Sequence, residues 1–165
     1  MNSLLTIRKG LLLGFFVAVL TVNFAFSQNC SATLSVEKDR NVKSAYEDDA
    51  ASFNLVLTNT SSKSMTYVIT TKNLQNACSN DIHKNTGANV PLTVDIKGDN
   101  LAGPTANALT LAAGETRKFR ISVSVPPSTP KNRWSCIEVM AQGRDCNQPA
   151  DTTTLRVYVP KPSDG

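Results

Sequence analysis

The sequence predicts an all-β fold, a two-sheet β-sandwich of seven or eight antiparallel strands. Three observations predict it. After Ser27 the apolar residues recur with the period of two that marks strands with one buried face. Clusters rich in Gly, Pro, Asn, Asp and Ser separate the alternating runs. No segment of helix length after Ser27 carries an apolar stripe at helical spacing. Strands with one apolar and one wet face are usually covered by stacking two sheets. A closed barrel is the second solution.

The elements follow in order. Strand 32–37 sets Ala32, Leu34 and Val36 on one face, and strand 51–58 does the same with Phe53, Leu55 and Leu57. Strand 65–72 groups Met65, Tyr67 and Ile69; strand 90–97 groups Val90, Leu92, Val94 and Ile96. A short strand is expected at 108–111. The cleanest alternation is at 116–125, where Phe119, Ile121, Val123 and Val125 face one way and Lys118, Arg120, Ser122 and Ser124 the other. Strand 134–142 turns Ile137, Val139 and Ala141 inward, and strand 152–159 turns Leu155, Val157 and Val159. The breakers between them include "NTSSKS", "AAGE", "PPSTPKN" and "GRDCNQPAD".

Residues 1–27 read as a cleavable signal peptide. Arg8 and Lys9 precede an apolar run, and Ala25 and Ser27 stand where a signal peptidase needs small residues, so Gln28 would begin the mature chain. An uncleaved anchor fits less well, because Thr21 and Asn23 interrupt the run. Lipid attachment at Cys30 also fits poorly, because Asn29 rather than a small residue precedes it. The expected product is a secreted or periplasmic domain over 28–165 with a short disordered tail at 160–165. No membrane insertion is expected after cleavage. Its four cysteines are an even count suited to disulfides in an oxidising compartment. Without Arg8 and Lys9, 15 basic residues face 13 acidic ones, too even a balance to suggest a nucleic-acid partner.

The runs "FNLVLTNTSSKSMTYVIT", "LTLAAGETRKFRISVSVPPSTP" and "WSCIEVMAQG…TTTLRVYV" resemble bacterial secreted immunoglobulin-like and fibronectin-III-like accessory domains of the NEW3 type. The shared pattern is a strand ending in Leu-x-Asn, a short turn, a Tyr-bearing strand, a Gly-Glu turn before a basic alternating strand, and a Val-Pro exit. It covers most of residues 50–159. Two features depart from it: the cysteines, and the long polar loop "NLQNACSNDIHKNTGAN". Sequence alone permits three disulfide pairings. In the fold that the chain resembles, strand 134–142 runs antiparallel to both 65–72 and 152–159. The resemblance therefore implies Cys78–Cys136 at one end of the molecule and Cys30–Cys146 at the other. On that fold a Cys136–Cys146 bond would span about 20 Å of straight strand at roughly 3.3 Å per residue, well past disulfide reach.

The search for chemistry is brief. His83 is the only histidine, so a blue-copper site, which needs two, is excluded by counting. A Ser-His-Asp triad would have to use His83, which lies in a polar loop with no nucleophile motif nearby. No C-x-x-C pair offers a redox thiol, and Cys78 with His83 supplies at most two zinc ligands. The acids Glu47, Asp48 and Asp49, and Asp95 and Asp99, read as solvated turn residues that do not match the EF-hand spacing. Lys118 and Arg120 read as the wet face of their strand, with Arg117 a third basic neighbour. No cofactor, metal or catalytic residue is expected.

What remains is surface. Val68, Trp134, Met140, Arg156 and Tyr158 fall on the outward face of neighbouring strands. Next to them lies the loop 74–89, whose expected binding positions are 77, 80, 81 and 83: Ala77, Asn80, Asp81 and His83. Two placements of Trp134 are open: in an exposed aromatic patch, or folded over the sandwich end as core. The leading expectation is a non-catalytic module that contacts an envelope or extracellular protein or serves envelope assembly. The alternative is a carbohydrate-binding module in which Trp134 and Tyr158 stack on a polysaccharide and the loop binds hydroxyls. A chaperone that accepts a peptide strand at an open sheet edge is a further possibility.

Overall fold

A computed structural model of the chain describes residues 30–76, 78, 87–98, 101 and 107–161. The expected signal peptide (1–27) and most of the expected tail lie outside them. The described residues form nine strands: β1 (Ala32–Val36), β2 (Val42–Ser44), β3 (Ala51–Asn59), β4 (Met65–Asn73), β5 (Thr93–Lys97), β6 (Ala108–Leu111), β7 (Thr116–Ser124), β8 (Arg133–Gly143) and β9 (Asp151–Val159). One sheet has the order β1-β3-β7-β5 and the other β2-β9-β8-β4-β6. The fold is a sandwich of two sheets and not a closed barrel.

The alternating apolar residues build the core. Phe53, Leu55 and Leu57 on β3 and Phe119, Ile121 and Val123 on β7 meet Tyr67, Ile69, Ile137, Val139, Leu155 and Val157 from the opposite sheet, all buried. Each such side chain contributes on the order of 1.5–3 kcal/mol through area removed from water. Two elements differ from the sequence reading. The expected strand 90–97 begins only at Thr93, because Pro91 has no N–H to give a ladder; Val90 and Leu92 are buried all the same. The three-residue β2 is additional, and it pairs parallel to β9 where all-antiparallel pairing was expected. It is too short to show periodicity.

The turn from β3 to β4 is built around Asn59, which is fully buried. Its amide donates to the carbonyls of Lys63, Leu111 and Ala112, at 2.7, 3.1 and 3.0 Å. Its Oδ1 accepts from Ser61 N–H, Ser61 Oγ–H and Tyr67 O–H. The Tyr67 hydroxyl also reaches the Ser31 carbonyl at the start of β1. The β6–β7 turn closes on the same residue, with Gly114 N–H donating to the Asn59 carbonyl at a φ of 74° that favours glycine.

Two disulfides close the ends. Cys30 is joined to Cys146 and Cys78 to Cys136, with Cα separations of 6.4 and 6.2 Å. The N-terminal strand is further fixed by the Leu34 N–H, which donates to Asp151 Oδ2 at 2.6 Å.

Candidate functional site

Period two places Trp134, Cys136, Glu138 and Met140 of β8 on the outward face of the five-stranded sheet. The register sets Trp134 opposite Tyr158 and Cys136 opposite Arg156. The rings of Trp134 and Tyr158 do pack together, with centroids 5.2 Å apart, and the Tyr158 hydroxyl donates to Asn132 Oδ1. They are not exposed: Trp134 retains 1% of its accessible surface and Tyr158 4%. Of the two placements left open for Trp134, the structure has the buried one, in a small cluster with Tyr158 on the outer side of the sheet.

The physical reason is chain that returns to that end of the sheet. The Cys78–Cys136 bond holds the segment after β4 on the face that carries Trp134. Val90 N–H donates to the Trp134 carbonyl, and Ala45 N–H to that of Tyr158, so further backbone flanks both. Of the other expected face residues, Arg156 is exposed, while Val68 and Met140 are half-buried. Val68 lies opposite Gln142, and Met140 opposite Thr70 and Thr152. The open part of this face is mainly polar, with Val42 of β2, the partner of Arg156, as its exposed large apolar residue among those described.

Ala77, Asn80, Asp81 and His83 fall outside the described residues. Of these four, Ala77 has only a methyl side chain and so no polar group to offer a ligand. The described ends of the loop are gripped by Asn89, which sequence reasoning passed over. Asn89 Oδ1 accepts from Cys78 N–H at 3.1 Å, and its amide donates to the carbonyls of Leu74 and Asn76. Asn73 acts similarly, exchanging two bonds with the backbone of Leu92. An Asn in a polar loop carries no sequence signal for such a role, since the partners lie well along the chain.

The outward face of the four-stranded sheet is charged. Asn54, Arg120 and Lys97 stand side by side on β3, β7 and β5. Lys118 Nζ pairs with Glu37 Oε1 at 2.6 Å, and Asn54 Nδ2 donates to Glu37 Oε2 at 3.3 Å. The Lys118 hydrogen bond, helped by Asn54, holds the Glu37 carboxyl below its ordinary pKa. Arg120 Nε turns to Asn54 Oδ1 at 3.4 Å, and Lys97 pairs with Asp95 at 3.2 Å. Glu37, Asn54, Lys97, Lys118 and Arg120, with Gly98 and Phe119, line an open recess of about 470 Å³. A second recess, of about 520 Å³, lies against the Cys30–Cys146 bond. Among the described residues, no three or more His, Cys, Asp or Glu side chains are grouped so as to hold a metal ion.

The family whose model matches residues 23–160 is described as "IG-like fold at C-terminal of FixG, putative oxidoreductase". The chain belongs to that family. Among solved structures, a FixG-related protein from Vibrio parahaemolyticus is 15% identical with a TM-score of 0.50, over 79% of this chain and 96% of that one. A family 123 glycoside hydrolase from Clostridium perfringens also reaches 0.50, at 10% identity, over 78% of this chain but only 27% of its own. At such identities both share the fold with this member of the FixG C-terminal family and nothing more is carried over. No curated protein matches the chain by sequence.

Proposed function

We propose that the chain is a non-catalytic, exported Ig-like module that works by contact with another protein of the cell envelope. The observation that carries this reading is membership of a family whose reference domain is an Ig-like unit at one end of a larger protein. Two further observations support it. The paired cysteines suit an oxidising compartment outside the cytoplasm. The surface offers open, polar and charged sheet faces, suited to contact over a broad area. The carbohydrate alternative has lost its carrier, because stacking on a sugar needs the exposed rings that Trp134 and Tyr158 do not present.

The test is crosslinking of the tagged protein in its own cells, followed by purification of the envelope fraction and identification of proteins and glycans by mass spectrometry. The expected result is one protein in stoichiometric yield, crosslinked to residues on one face of the sandwich. Glycan recovered without protein, or turnover of an envelope component by the purified chain, would overturn the reading.

A further inference from the structure

We propose that the recess around Arg120 receives a carboxylate side chain of an acidic polypeptide segment that adds as a strand to the edge of β5 that no described strand pairs. This rests on the protein-contact reading above and specifies its site and the chemistry of its partner. Two independent features lead to it.

The first is a set of cations in which, among the described residues, one guanidinium is left uncompensated. Lys97 and Arg120 are direct cross-strand partners, an arrangement of like charges that is unfavourable by itself. Lys118 is matched by Glu37, and Lys97 by the exposed Asp95. Among the described residues Arg120 has no carboxylate partner; its contact is the neutral Asn54. That contact uses Nε. Among the described residues the two terminal nitrogens therefore remain as an end-on fork, the geometry that matches the two oxygens of a carboxylate. The relay Lys118–Glu37–Asn54–Arg120 orients the fork before any ligand arrives.

The second feature selects a polypeptide over other anions. Asn59 N–H donates to the Glu115 carbonyl, in register with the β3–β7 pairs. Odd-numbered residues of β7 thus bond to β3 and even-numbered ones to β5. On β5 this engages Thr93, Asp95 and Lys97 and turns the backbone groups of Val94 and Ile96 outward. Among the described residues β5 has one ladder neighbour, β7. A polypeptide in extended form is the ligand that matches such a row of alternating donors and acceptors along its length. Side-chain periodicity then defines the segment. It places an acidic residue beside Lys97, an apolar one beside the half-buried Ile96, and a non-acidic one beside Asp95.

Fluorescence anisotropy tests this with a labelled peptide, GSTVTVEVTVTSG, and the protein with both disulfides formed. The peptide should bind and be released by salt. Replacing its Glu by Gln, N-methylating alternate backbone nitrogens, or introducing Arg120→Gln should each weaken binding about tenfold or more, as expected for loss of a charge-assisted pair or of ladder bonds. Arg120 is exposed, so an unchanged melting curve for Arg120→Gln is expected, and Arg120→Lys should bind between the two because it keeps the charge without the fork. Equal binding of the Glu and Gln peptides, no binding by any peptide, or displacement by polygalacturonate of a peptide that ignores N-methylation would each overturn the proposal. Crosslinking with Arg120→Gln separates the two readings. A partner captured equally by both forms refutes the Arg120 site and leaves the contact function standing, whereas no partner with either form refutes the contact function.

Discussion

Asn59→Ala should be among the most damaging single changes in this protein, although the side chain touches no charged group. It makes six hydrogen bonds while fully buried. Its amide has two hydrogens for three carbonyls, so one bond is shared. Most partners keep a second contact after truncation: Tyr67 O–H still reaches Ser31, Ser61 Oγ still reaches Lys63, and the Leu111 carbonyl still accepts from Ser64. The Ser61 N–H is the group that loses its acceptor. Six bonds at about 1 kcal/mol net each, reduced for these surviving contacts, give a loss of roughly 3–5 kcal/mol. Urea denaturation followed by tryptophan fluorescence measures it, since Trp134 is the only tryptophan. Asn59→Asp adds a signed test. A carboxylate there would be fully buried with one oxygen against three carbonyls, which together outweigh the donors at its other oxygen, so its folded pKa is expected to rise above the ordinary ~3.9. The penalty relative to the parent is then small below about pH 4 and grows as pH rises through that value. A loss under about 1 kcal/mol for Asn59→Ala, or a pH-independent difference for Asn59→Asp, would refute the hub.

Other outcomes follow from the same structure. Gly143→Ala builds a Cβ 2.5 Å from Cys146 Sγ, so it should cost about 1–3 kcal/mol of overpacking; the cost should shrink in a Cys30→Ser, Cys146→Ser background, as measured by melting. Trp134→Ala should remove about 3–5 kcal/mol of stability, as a buried aromatic does; a variant that melts like the parent would restore the exposed placement. Burial pushes the Tyr67 phenol above its ordinary value of 10.0. Stability tied to it is complete below pH 10 and lost as pH rises beyond, so Tyr67→Phe should flatten the alkaline limb of a stability–pH curve. The Ala112 N–H, with Arg117, holds the Glu115 carboxyl below its usual range. What Glu115 contributes is present above that range and lost as pH falls through the depressed value, which an NMR titration of its carboxyl carbon reads directly.

Much of this architecture is legible in the sequence, for a local reason. Alternation on β3 and β7 assigns each side chain to a face whatever its neighbours are, and the buried residues of those strands are the alternating ones, whereas on β8 the run from Trp134 to Ile137 is buried on both faces. The resemblance reached the Ig-like fold on turn and core signals, but such signals do not single out the FixG C-terminal family. The Leu-x-Asn ending of β3 was visible as a motif, yet its role was not. Asn59 becomes a hub only when residues 111 and 112 arrive at the end of β6, a strand of the opposite sheet. β2 was not legible at all, because three residues cannot display a period.

By itself the amino-acid order determined which residues could share a face, where the chain must turn, and that its cysteines suit an oxidising compartment. Tertiary structure alone decided which outward residues are covered. Trp134 and Tyr158 obey alternation and point away from the main core, and they are buried because segments near residues 45, 78 and 90 return to them. It also decided which charges meet. Lys97 and Arg120 are far apart in the chain and become neighbours only through the β5–β7 register. Both outcomes depend on non-local pairing, which strand periodicity does not encode.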